Sequence, residues 1–195
     1  NAEGARTIGV EVDVANPGDM QRLAHMAAIR YGRIDTWVNN AGVALYGRLE
    51  EVRDEDSRRL FDINFWGVVN GSLAALPYLR RNGGTLINVG CVVADTVVPL
   101  QGMYSASKHA VKGFTDALRI EVAEVDRAPV AITLVQPLAV DTPYHLHARN
   151  YMDREPRLPS SHVAPEQVAK AILMAACHPT RDARVGVLAK ISTLT

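Results

Sequence analysis

Thr85-Leu86-Ile87-Asn88-Val89, closed by Gly90, is a short apolar run bounded by glycine, and it reads as a buried strand. Working outward, Ile34-Asp35-Thr36-Trp37-Val38 and Ala131-Ile132-Thr133-Leu134-Val135 have the same character, and Thr7 to Val14 and Arg184 to Leu188 are further strand candidates. Helix-like stretches lie between them. Pro17 to Tyr31 is amphipathic, with Asn16 as a cap ahead of a proline in the first turn. A helix follows Glu50, a longer one runs from about Asp56 to Arg81, and others span Met103 to Val125 and Pro165 to Ala176. Short apolar strands alternating with helices predict an α/β fold: a doubly wound parallel sheet in a three-layer α/β/α arrangement.

The chain of 195 residues fits one domain, residues 1–195, and its 48% hydrophobic content is enough for a sizeable core. Acidic and basic residues balance at 21 each, so nothing points to nucleic acid or an anionic membrane as partner. No apolar run reaches spanning length; the stretch from Val68 to Leu79 is broken by Asn70, Gly71 and Pro77. Cys91 and Cys177 are far apart and give neither a disulfide framework nor metal spacing, which favours a reducing, cytoplasmic setting.

Chemistry enters with Tyr104-Ser105-Ala106-Ser107-Lys108. On a helix, positions four apart share a face. A lysine ammonium near a phenol stabilises the phenolate and lowers a tyrosine pKa that starts near about 10, as general acid–base work requires. Alone, this spacing is more often a pair of surface neighbours. Its company changes that. Thirteen residues back stands Cys91, just past the strand 85–89. The strand 34–38 runs into Asn39-Asn40-Ala41-Gly42, small and amide residues that let a ligand approach the backbone at a strand's carboxyl end. Asn64 sits in the helical, otherwise apolar stretch Asp62-Ile63-Asn64-Phe65-Trp66-Gly67, where an amide is costly unless it has work to do.

Asn39-Asn40-Ala41-Gly42, Asn64, position 91 and Tyr104-x-x-x-Lys108, in that order and spacing, resemble the short-chain dehydrogenase/reductase family. Val12-Asp13-Val14 is similar to the family's adenine-contacting Asp, and Pro137 through Thr142 is similar to its Pro-Gly-x-x-x-Thr segment beside the nicotinamide. The resemblance implies a Rossmann-type domain and hydride transfer between NAD or NADP and a small alcohol or ketone. Tyr104 is then the general acid/base, with Lys108 on the nicotinamide ribose, Asn64 holding a relay water and Cys91 in the carbonyl-polarising position. Asp13 and Val14 would flank adenine, and Asn39, Ala41 and Gly42 would line the adenosine half. Pro137, Val140 and Thr142 would border the nicotinamide. It also implies a homodimer or homotetramer built through helices 56–81 and 103–125. Phe114, Leu118 and Val122 at helical spacing serve either that interface or the sheet.

Three departures stand out. The family's Gly-rich turn, T-G-x-x-x-G-x-G, occurs nowhere in the sequence, and the residue choosing NAD or NADP goes with it. Those glycines let backbone N–H groups hold a pyrophosphate. A sheet lacking a central strand would expose two edges, so a preceding N-terminal segment is expected. Cys91 stands where the family has Ser, and a thiol is a weak donor. Losing that donor would cost on the order of 2–4 kcal/mol of transition-state stabilisation. Leu138 replaces a Gly, which questions the backbone there.

Residues 143–164 form the one long irregular segment, with Tyr144, His145, His147, Arg149, Tyr151, Met152 and Arg154. By resemblance it is a substrate lid. The two histidines lack acidic or cysteine company for a metal site, so none is expected. Two other classes stay open: a relative that binds ligand without turnover, supported by Cys91 and the missing turn, and a structural fragment displaying its long helices.

Overall fold

The computed structural model describes residues 7–157 and 159–186. Along them run α1 (Pro17–Tyr31), β1 (Thr36–Asn39), β2 (Leu45–Tyr46), α2 (Asp54–Phe61), a π turn (Asp62–Trp66), α3 (Gly67–Asn82) and β3 (Gly84–Val89). Then come α4 (Gly102–Ile120), a second π turn (Glu121–Val125), β4 (Val130–Pro137), β5 (Ala139–Val140), a 3-10 turn (Pro143–His147), β6 (Arg149–Asn150), β7 (His162–Val163), α5 (Pro165–Cys177) and β8 (Asp182–Val185). One parallel sheet takes the order β1-β3-β4-β8. Its register sets Leu86 beside Ile132 and Val89 beside Val135.

The strand period makes the three layers. Leu86 and Ile87, consecutive in β3, are both 0% exposed and point to opposite faces. Leu86 joins Ala75, Leu79 and Leu118 under α3 and α4. Ile87 joins Val168 and Ala175 of α5 on the other side. Leu118 and Val122 belong to the first cluster, with Phe114 packed against it, so this stripe faces the sheet.

Local signals explain most boundaries. Asn16 Oδ1 accepts from Gly18 N at 2.9 Å ahead of Pro17, and Gly32 closes α1 at φ 85°. Four expectations need correction. Thr7 to Val14 takes no strand conformation, and Val12 and Val14 instead pack against the core beside α3. The two helices read from Glu50 to Arg81 are one rod, Asp54–Asn82, joined without a break by the π turn and continuing through Pro77. The segment 143–164 has structure of its own, because β6 pairs with β2 and β7 with β5. The last strand is Asp182–Val185, starting two residues before the span read from the sequence and followed by a bend at Gly186, and residues 187 and 188 of that span lie outside the described residues.

Candidate active site

The carboxyl ends of β1, β3 and β4 converge with the start of α4. Tyr104 lies in the first turn of α4 and is half-buried; Lys108, one turn on, is 5% exposed. Its ammonium donates to Val89 O at 3.2 Å and lies 5.8 Å from the centroid of the Tyr104 ring. An ammonium has three N–H groups, so this single carbonyl leaves donor capacity facing the site. Burial lowers the Lys108 pKa.

The Tyr104 hydroxyl interacts with the Cys91 thiol and the Tyr144 hydroxyl. Burial, followed by these two neighbours, raises its pKa well above 10.0. The sequence expectation of a lowered value is therefore reversed in the protein by itself, because desolvation of the phenolate dominates. Cys91, in extended backbone at the end of β3, is half-buried and also feels Lys108, Tyr46 and Tyr144.

Asn64, 0% exposed, sits in the π turn, a helix defect frequent at functional sites. Its Oδ1 accepts from Val43 N at 2.8 Å, and its Nδ2 donates to Val43 O at 3.0 Å and Ser107 Oγ at 3.2 Å. Ser107 in turn donates to Tyr104 O at 2.7 Å. One amide thus ties the Gly42–Val43 turn to the helix turn that carries Tyr104. A Cβ placed on Gly42 would stand 3.3 Å from Asn64 Oδ1, 3.8 Å from Lys108 Nζ and 3.9 Å from Tyr144 OH. Glycine there opens a polar cradle.

Asn39 stands apart from this cradle. It is a buried brace: Oδ1 accepts from Trp37 Nε1 at 2.8 Å, and Nδ2 donates to Ser72 Oγ at 3.0 Å and Asn88 Oδ1 at 2.8 Å. A Cβ on Gly71 would collide with its amide, so α3 approaches β1 only through glycine. Asn88 continues the ladder to Thr115 Oγ1 at 2.9 Å, and Thr115 donates to Val111 O at 2.7 Å. Ala41 is exposed beside the cradle.

Asp13 lies farther out, its carboxylate held by Ala15 N at 3.0 Å and Arg59 Nη2 at 3.0 Å, and these bonds keep its pKa below 3.8. Val14 packs closely over Gly67. Pro137 is buried at the end of β4, Val140 packs beneath α5, and Thr142 caps the 3-10 turn that carries Tyr144. Leu138 keeps an ordinary negative φ and lies over Gly186 at φ +111°, so glycine at 186 accommodates the bulk at 138.

Sequence reasoning missed the support behind Cys91. Gln136, 1% exposed, donates to Asp95 Oδ2 at 3.0 Å and lies 3.5 Å from Cys91 O; Arg184 Nη2 reaches the same carboxylate at 3.1 Å, and Lys112 pairs with it. Asn88 and Gln136 shared the signal that singled out Asn64, an amide inside an apolar run. Tyr46, with Pro99, Leu100, Met152 and Pro156, lines a cavity of about 260 Å³ beside the site. Among the described residues no group of three or more His, Cys, Asp or Glu could hold a metal, and no helix is long and apolar enough to cross a membrane.

Comparison with known proteins shows the family and the fold. The short chain dehydrogenase family model matches residues 1–152. The uncharacterized oxidoreductase YxnA of Bacillus subtilis is 44% identical over 191 residues, covering 96% of this chain and 53% of its own length. The chain therefore spans about half of that relative. A short chain dehydrogenase/reductase from Burkholderia phymatum in complex with NAD matches with TM-score 0.86 at 26% identity, over 99% of this chain and 75% of that one. A short chain dehydrogenase from Burkholderia cenocepacia in complex with NADP matches with TM-score 0.80 at 28% identity, over 98% and 74%.

Proposed function

The chain belongs to the short chain dehydrogenase family, and on that premise we propose that it is an NAD(P)-dependent oxidoreductase acting on a small alcohol or ketone, with Tyr104 as its general acid/base. The observation that carries this reading is the cradle at Gly42, where a buried ammonium with unused N–H groups, an amide oxygen and two phenols converge. Such a set of donors and an acceptor fits the hydroxyls of a ribose. A nicotinamide bound there supplies the hydride.

The protein's own residues do the rest. Lys108 holds the ribose. Tyr104, kept neutral by burial, gives its proton to the substrate oxygen in reduction, and its phenolate takes the hydroxyl proton in oxidation. Cys91 lies beside that oxygen as a weak donor. Asn64, with both amide N–H groups committed, positions the Gly42 turn against α4, and a relayed water would have to donate to its oxygen. Asp13 and Val14 border the adenine end, Ala41 and Gly42 line the adenosine half while Asn39 stays in the core behind them, and Pro137, Val140 and Thr142 wall the nicotinamide end. Residues 143–164 act as the lid, and the cavity at Tyr46 takes the substrate's apolar body.

Exposed Trp66, Leu73 and Ile120 on the α2–α3 rod and α4 support a homodimer or homotetramer formed through those helices. The balanced charge supports neither nucleic acid nor membrane as partner, and two cysteines far apart in sequence support a reducing, cytoplasmic setting. Cys91 favours one rival, a family member that binds dinucleotide without turnover.

The test is a titration with NADH and NADPH followed by a panel of ketones, reading nicotinamide absorbance. Carbonyl-dependent oxidation of either cofactor is expected. Binding without oxidation across the panel would favour the rival, and no binding would remove both.

A further inference from the structure

We propose that Tyr144 is a second hydroxyl donor to the substrate oxygen, standing beside Tyr104 and supplying the polarisation that the Cys91 thiol supplies poorly. The inference rests on the dehydrogenase reading above and adds a residue from the lid to its reacting centre.

The position of Tyr144 is built by its neighbours. The 3-10 turn Pro143–His147 is bracketed by two parallel pairings, β5 with β7 before it and β6 with β2 after it. Thr142 O accepts from His145 Nδ1 at 3.1 Å within the turn. Beyond it, Arg149 N donates to Ala44 O at 3.2 Å and Tyr151 N to Tyr46 O at 2.8 Å. Tyr151 pairs with Asp56, which also accepts from Arg149 Nε at 3.0 Å, so the lid is moored to the start of α2. A Cβ on Gly47 would stand only 2.8 Å from Tyr151 Cβ, which shows how closely the two backbones run.

This mooring brings the Tyr144 hydroxyl to 3.9 Å from the Cβ position of Gly42, a point that is also 3.8 Å from Lys108 Nζ, and near enough to Tyr104 to affect its ionisation. An oxygen that hydrogen-bonds Tyr104 therefore lies within reach of Tyr144. Tyr144 is 37% exposed as a residue, yet its hydroxyl end lies against the site, and the desolvation there raises its pKa, so it stays a neutral phenol with a proton to share. A phenol is a full O–H donor where a thiol is a weak one. In reduction the carbonyl carbon gains a hydride from the nicotinamide and the oxygen gains the Tyr104 proton. Tyr144 keeps its own proton throughout, donating first to the charging oxygen and then to the Tyr104 phenolate.

The experiment compares Tyr144→Phe, Cys91→Ser and the double variant on the ketone found by the panel. Deleting one oxyanion donor typically costs about 10²–10³ in kcat, and with Tyr104 and Cys91 still present a loss of at least ~10-fold is expected, with KM for the ketone changing less. Cys91→Ser should restore most of that loss in the double variant, because a Ser hydroxyl replaces the missing donor. A separate readout needs no turnover: ultraviolet titration of phenol ionisation should show the Tyr104 midpoint shifting when Tyr144 loses its hydroxyl. Unchanged or faster turnover in Tyr144→Phe would overturn the proposal and make Tyr144 an occupant that substrate displaces. An unmoved Tyr104 midpoint would overturn the contact itself. No turnover in the unaltered protein would overturn the dehydrogenase reading and this proposal with it, whereas an active protein indifferent to Tyr144→Phe overturns this proposal alone.

Discussion

The Lys108 ammonium lies 5.8 Å from the centroid of the Tyr104 ring, while the Tyr104 hydroxyl turns to Cys91 and Tyr144. The lysine thus sits beside the ring, and burial governs the phenol. In the protein alone Tyr104 is held as a neutral acid, ready to give a proton.

That arrangement fixes a pH dependence. A phenol whose folded pKa is raised above 10.0 contributes stability that is fully present below 10.0 and is lost as pH rises above it, because the unfolded chain releases the proton first. Comparing denaturant midpoints of the protein and Tyr104→Phe across alkaline pH should show the variant losing less stability. Parallel curves would mean that the phenol is not held neutral.

Tyr104→Phe should lower turnover by about 10²–10⁴, the usual contribution of a placed proton donor, while far-ultraviolet circular dichroism stays unchanged. Undiminished turnover would remove Tyr104 from the acid–base role.

Cys91→Ser should preserve or raise turnover of a carbonyl substrate, since a hydroxyl outperforms a thiol as donor. A loss of ~10-fold, in the range of one lost donor, would instead give the thiol its own chemical part.

Asn88→Ala removes the middle of the ladder from Trp37 to Val111. It takes Asn88 Oδ1 from one of the two Asn39 amide N–H groups, while Ser72 Oγ still accepts from Asn39, and it leaves Thr115 without its donor, both in the core. The cost should be about 2–4 kcal/mol, one to two unsatisfied buried groups. Urea unfolding should show a lower midpoint at an unchanged slope.

Burial pushes the Asp95 carboxyl up, but Lys112, Gln136 and Arg184 together hold it below 3.8. A depressed carboxylate contributes stability above its unfolded pKa and loses it as pH falls below 3.8. Acid unfolding should therefore be less steep in Asp95→Asn, and equal steepness would show that the network adds no pH-dependent stability.

The layers and the helix-borne pair were legible in the sequence because they follow local rules. Apolar runs such as 85–89 make buried strands wherever they pair, and Tyr104 and Lys108 share a face by helix geometry alone. Asn16 and Pro17 fixed the start of α1 for the same local reason. The π turn at Asn64 was hidden, since it needs no unusual residue; the strand expected over Thr7 to Val14 is not one, since β-forming residues alone do not place a segment in a sheet ladder.

The sequence by itself determined an α/β chain carrying Tyr104, Lys108, Asn64 and Cys91 in a recognisable order, since periodicity and spacing are properties of neighbours. Only the tertiary structure decided what surrounds the phenol. Burial by distant segments reverses the pKa direction expected from Lys108, and the lid delivers Tyr144 from forty residues along the chain. Asn39 became a core brace once Gly71 let α3 close over it. Desolvation and long-range contact depend on how the whole chain packs, and no local pattern encodes them.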